Sequence, residues 1–305
     1  MWVVASGVLF GSQFVPGKYC TEFEAGAYNI SMSLAILVGS ILALAVLGTG
    51  PIAPGPAALC ALAGAIWSLG NYLLLVAVAL AGMARAFVAI NFSAVLSFAG
   101  GMVFLGELPA LGGARLLAML GAVGLVLLGA WLVTTTTPRG EAAGRAGGGR
   151  GRVGRGLLAA FVATVFFSTY NVLTAWVLNR RGVGPGPTFV AVAPGIVVGA
   201  FLAALLSRRT LLRHWRRAPA RGHLLAGAQG LIWATAMVCI LFGWMGAGIA
   251  VGTAVQVGTQ TVVGAMWGIA RFGEFDALPD RRGAFARFAA GAALTVAGIA
   301  AIGFL

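Results

Sequence analysis

Apolar stretches of about 20 residues recur from one end of this chain to the other, each long enough as a helix to cross about 30 Å of hydrocarbon. Inside a bilayer no water is available to the backbone, so only helices and closed barrels can span it. Membrane strands would alternate in units of about ten residues, and that pattern is absent. The remaining composition agrees: 60% of residues are hydrophobic and 9% charged, against roughly 25% charged in soluble domains. The expected fold class is an all-α, multi-pass integral membrane protein. Ten transmembrane helices are expected, at 2–19, 26–47, 57–80, 83–105, 113–133, 156–178, 187–207, 223–243, 246–270 and 285–304. Pro51, Pro54 and Pro56 separate the second and third spans, and Gly184-Pro185-Gly186-Pro187 the sixth and seventh. No basic region precedes residues 1–19, which therefore read as a first span rather than a signal peptide.

Between the fifth and sixth spans the character of the chain changes. Thr134 to Gly156 carries Arg139, Arg145, Arg150, Arg152 and Arg155 among glycines, with no apolar run able to bury itself. Such a composition cannot offset the entropy of ordering, so residues 134–155 read as a disordered basic linker. It joins a first five-helix repeat, 1–133, to a second, 156–305. The two halves echo each other. Gly106-Glu107-Leu108-Pro109-Ala110-Leu111 matches Gly273-Glu274-Phe275-Asp276-Ala277-Leu278, and Gly64-Ala65-Ile66-Trp67 matches Gly230-Leu231-Ile232-Trp233. Five spans is an odd number, so the second copy must enter from the opposite side; the expectation is two inverted repeats, a common construction for secondary transporters. Of the 20 Lys and Arg residues, only Arg115, Arg180 and Arg181 fall on one face. The positive-inside rule then puts the linker in the cytosol and both termini outside.

A polar side chain within a span avoids lipid and points into the bundle or a wet cavity. The first span holds Gln13 and Lys18 around Pro16, which removes a backbone donor and can interrupt the helix. Lys18 could instead snorkel to the interface. Trp67 and Asn71 share a face of the third span at i, i+4, and Trp233 is the repeat partner of Trp67. Asn91 belongs to the fourth span and Tyr170 and Asn171 to the sixth, while Gln256 and Gln260 lie on one stripe of the ninth. An indole beside amide donors and acceptors makes a good wall for a hydroxylated solute. Those ten residues form the expected substrate site, alternatives being interfacial indoles and amides that join helices.

Several chemistries lack their residues. All seven acids lie in loops or at span ends, both histidines belong to the loop after the seventh span, and no spacing suits a metal. No catalytic residue, metal or cofactor is therefore expected, and the protein is not read as an enzyme. Cys20, Cys60 and Cys239 are too scattered for a disulfide framework. The arginines sit between apolar segments rather than along a folded basic face, so nucleic acid is not an expected partner. The expected partners are the lipid bilayer and a small solute. A homodimer is an open alternative to a monomer. Gly195 to Gly199 and Gly264 to Gly268 both fit close helix packing, a pattern common in any Gly-rich membrane protein.

The motifs Phe104-Leu105-Gly106-Glu107 and Phe272-Gly273-Glu274, closing the fourth and ninth spans of a ten-span pattern, resemble those of the drug/metabolite transporter superfamily. Gly11-Ser12-Gln13-Phe14-Val15-Pro16-Gly17-Lys18 is similar to the first-helix signature of its glucose/ribose porter and rhamnose transporter branch. Gly64-Ala65-Ile66-Trp67-Ser68-Leu69-Gly70-Asn71 and Ala265-Met266-Trp267-Gly268-Ile269 add a likeness to the transmembrane-144 group of candidate carbohydrate transporters. The resemblance implies alternating-access transport of a sugar or similar neutral polar metabolite through a central cavity. It also implies cytosolic termini, opposite to the charge count. Two other functions stay open: a carrier of an organic anion (nucleotide-sugar-like metabolites included) with Lys18 or Arg85 as counter-charge, and a membrane scaffold that transports nothing.

Overall fold

A computed structural model describes residues 1–20, 23–48, 50–81, 83–106, 112–135, 150–207, 211–272 and 280–304; the side chains of 81–91 are outside that description. All of its secondary structure is helical. The helices are α1 (Trp2–Ser12), α2 (Phe14–Lys18), α3 (Ala25–Leu47), α4 (Pro54–Ala81), α5 (Met83–Phe104), α6 (Gly113–Thr135), α7 (Arg150–Arg180), α8 (Pro185–Ser207), α9 (Leu211–Arg217), α10 (Ala220–Phe272) and α11 (Arg281–Phe304). Five of these carry segments long and apolar enough to cross a membrane: Gly26–Leu47, Pro54–Ala77, Gly154–Arg180, Pro185–Leu206 and Ala220–Phe272. Among the described residues the chain is all-helical, with the apolar spans of a membrane protein.

Local chemistry explains the helix limits. Pro54, Pro185 and Pro187 stand in first turns, where a missing N–H costs nothing. Pro16 cannot donate to the Ser12 carbonyl, and the helix is interrupted at Gln13; the break is shallow, since Gln13 keeps helical dihedrals (φ −59°, ψ −26°). The 53 residues of α10 are two limbs joined at Gly248, whose φ of 74° and ψ of 166° no ordinary residue adopts cheaply. Beyond that break the Trp244 indole packs on Gly252. One difference from the sequence expectation concerns the linker: α7 begins at Arg150, inside the basic segment. Arginine is a good helix former and α7 extends an apolar helix already nucleated, so Arg150, Arg152 and Arg155 are carried into its first turns.

Packing follows membrane logic. Large aliphatic side chains such as Val46, Val103, Leu117 and Leu206 point outward, while the inside is rich in alanine, glycine and hydroxyl residues. Without a hydrophobic drive between helices in lipid, close backbone approach supplies the attraction. Gly64 of α4 lies against the Val192 carbonyl and Ile196 of α8, and Gly230 of α10 lies against the Met32 carbonyl and Ile36 of α3. Elsewhere α6 crosses α11 with Gly129 on Gly291 and Thr295, and Gly298 on Ala122 and Val126. The main buried cluster sits where α3, α4, α7, α8 and the first limb of α10 meet, with Trp67, Tyr170 and Trp233 at its heart.

Candidate functional site: a cavity lined by aromatic rings and amides

Next to that cluster the helices part around a cavity of about 110 Å³, room for a small solute or several waters. Each helix, or each limb of α10, brings one or two polar groups. The interruption between α1 and α2 places Gln13 there, flanked by Phe10 and Phe14; α4 gives Trp67 and Asn71; α5 gives Ser93; α7 gives Tyr170 and Asn171. From α10 come Trp233 and Trp244 on the first limb and Gln256 and Gln260 on the second. Among the described residues, no Asp, Glu, Lys, Arg or His lines it.

Aromatic rings set the shape. The Trp67 and Trp233 centroids are 4.6 Å apart at 52°, Tyr170 stands 6.4 Å from Trp67, and Phe10 meets Trp233 edge-on at 6.0 Å. Amides are held by neighbours. Asn71 donates its Nδ2 to Asn29 Oδ1 at 2.6 Å, Asn171 donates to Ser97 Oγ at 3.0 Å, and Gln256 donates to Gln260 Oε1 at 2.6 Å. Each bond orients an amide while leaving it further donor and acceptor capacity. Tyr170 donates its hydroxyl to Met237 Sδ, which fixes its ring. Two polar atoms of lining residues are buried with no protein partner among the described residues: the acceptor Gln13 Oε1 and the donor Trp244 Nε1.

Eight of the ten residues expected from sequence come together here: Gln13, Trp67, Asn71, Tyr170, Asn171, Trp233, Gln256 and Gln260. Lys18 does not. It is exposed at the end of α2, with its ammonium 5.5 Å from the Phe272 ring, because four residues of helix carry it from Gln13 to the end of the bundle. The Asn91 side chain lies outside the described residues. Sequence reasoning missed Trp244 and Met237, although the signal was present. Trp233, Met237, Ile240 and Trp244 follow i, i+4, i+7, i+11 spacing, one stripe of an α-helix. Among the described residues no three His, Cys, Asp or Glu side chains gather as metal ligands would.

The fold and site define a class: an all-helical membrane protein with an aromatic, amide-lined internal cavity. No family model and no curated protein matches the sequence. Among solved structures, one described only as the crystal structure of a protein is similar with a TM-score of 0.71, covering 99% of this chain and 96% of that one at 17% identity. That likeness is one of fold.

Proposed function

We propose that the protein is a secondary carrier for a neutral, hydroxyl-rich metabolite such as a sugar, working by alternating access about this cavity. The observation that carries the proposal is the lining among the described residues: indoles, a phenol and amides, two buried polar atoms with no partner there, and no Asp, Glu, Lys, Arg or His. Sugars are bound by stacking on aromatic faces and by directional bonds to amides, and need no counter-charge. A charged solute in so apolar a site would require an opposite charge.

The ten-span, inverted-repeat architecture belongs to the same proposal, and contacts between the halves support it. Exchanging α3 with α8 and α4 with the first limb of α10 turns the Gly64 contact on Val192 and Ile196 into the Gly230 contact on Met32 and Ile36. The same exchange relates Gly199 on Ser68 to Gly39 on Ala234. Gly129 on Gly291 and Thr295 becomes Gly298 on Ala122 and Val126, while the Trp67–Trp233 pair maps onto itself. A cavity beside such an axis is where two halves could rock. Membership of the drug/metabolite transporter superfamily, and of its sugar-carrying branch, is proposed on the motifs together with this arrangement. An anion carrier gains nothing from Lys18, which stands away from the cavity, and the Arg85 side chain lies outside the described residues.

Purified protein in proteoliposomes tests the proposal by uptake of neutral sugars against organic anions. Sugar uptake should fall at least tenfold in Asn71→Ala and Gln260→Ala, the loss of one or two oriented hydrogen bonds at about 1.5 kcal/mol or more. Unchanged uptake and binding in both variants would remove this cavity as the site.

A further inference from the structure

The short helix α9 carries a second feature, unrelated to the cavity. It lies between the end of α8 and the start of α10, and so at the level where two apolar spans, Pro185–Leu206 and Ala220–Phe272, meet the headgroups. One side of α9 is fixed to the bundle. Leu212 and Trp215 pack into a cluster with Phe23, Tyr28 and Phe201. Trp215 donates its Nε1 to Ser31 Oγ at 2.8 Å, and that hydroxyl is 2.8 Å from His223 Nδ1. The Trp215 ring also meets Phe201 edge-on at 6.2 Å.

With Leu212 and Trp215 turned inward, i, i+3 and i+4 spacing gathers Arg213, Arg216 and Arg217 on an adjoining side, where all three are exposed. Arg221, exposed in the first turn of α10, adds a fourth guanidinium. Glu24, across from this helix, is bonded to His214 at 2.6 Å. Among the described residues no carboxylate pairs with any of these four arginines. Three cations on a helix that cannot roll and a fourth at the start of the next, at headgroup depth, match a phosphate-bearing lipid. Guanidinium forks bind phosphate oxygens in pairs, and the anchored indole removes much of the ordering cost.

We propose that α9 and the start of α10 form a binding site for an anionic phospholipid headgroup, held by Arg213, Arg216, Arg217 and Arg221. It depends on the membrane placement of α8 and α10 and not on the carrier reading, so either can fail alone.

Binding of phosphatidylinositol 4-phosphate and of phosphatidylcholine to the full chain, purified in neutral detergent, is read by native mass spectrometry and by the shift in melting temperature. The anionic lipid should be retained and raise the melting temperature, and phosphatidylcholine should not. R213Q/R216Q/R217Q should weaken retention by about a hundredfold, since each basic residue near a charged surface contributes about fivefold. A single R217Q chain, expected to lose about fivefold, covers the case in which the triple variant misfolds. R281Q/R282Q/R287Q removes equal charge from α11 and should leave retention unchanged. Equal loss in the two triple variants would reduce the effect to diffuse charge and overturn the proposal. So would equal affinity for soluble inositol phosphate, which would make the ligand a free phosphate rather than a lipid.

Discussion

Gln13 holds its amide oxygen inside the bundle with no described protein donor, although burial of an unpaired acceptor costs about 1–3 kcal/mol. Such a cost is tolerated where a solute or water completes the bond. Gln13→Leu removes the penalty, so the variant should melt at the native temperature or a few degrees above it. Its sugar uptake should nevertheless drop about tenfold, the worth of one lost directional bond. Melting curves and uptake on one preparation separate the two effects, and a Leu variant that transports normally would show the oxygen contacts no solute. Trp233 should behave in the opposite way. It is 2% exposed and packs on Trp67, Phe10 and Phe189, so Trp233→Ala should lose about 3–5 kcal/mol and lower the melting temperature as well as uptake. The amides of this site were legible because a polar residue in an apolar span has few places to go. Lys18 was not, because a long stem near a helix end can reach either a cavity or the interface. Trp244 was hidden for the opposite reason, as an indole is unremarkable in an apolar run.

Helix boundaries were mostly written in prolines and glycines, and the exceptions show where packing decides. The sequence expected two spans on either side of Gly243–Gly246, whereas the backbone breaks at Gly248. Either glycine, Gly246 or Gly248, could have carried the turn, and nothing in the local sequence chooses between them. Across the break the Trp244 indole lies on Gly252 and lines the cavity. A measurable asymmetry follows. Gly248→Ala should cost about 1–3 kcal/mol in denaturation in detergent, because its dihedrals exclude a Cβ. Gly246→Ala should be neutral or slightly stabilising, since nothing lies within 4 Å of its Cβ position and its φ is ordinary. Equal effects at the two glycines would move the break away from Gly248. The basic segment shows the reverse case, where composition alone placed the start of α7 too late because it could not weigh the helix that follows.

At the scale of the molecule, repetition was visible in two short motifs, but Glu107 and Glu274 lie outside the described residues. The contacts that relate the halves are between small residues, which no pattern of single letters singles out: Gly64 on α8 against Gly230 on α3, and Gly129 against Gly298. The proposed likeness of the halves rests on motifs, and the proposed axis between them rests on packing. The proposed architecture then makes a topological claim that needs no substrate. If each half crosses the membrane five times, both termini share one side and the linker lies on the other. The charge distribution assigns the linker to the cytosol, since all basic residues but Arg115, Arg180 and Arg181 fall on its face. In a chain with Cys20 replaced by serine, Ala143→Cys should react with a membrane-impermeant maleimide only after cells are permeabilised. Tags before Met1 and after Leu305 should both be accessible on intact cells. Labelling of the linker outside and both tags inside would reverse the orientation and leave the repeats standing. A terminus on the linker's side would give one half an even number of crossings, and two inverted copies could not then be built from this chain.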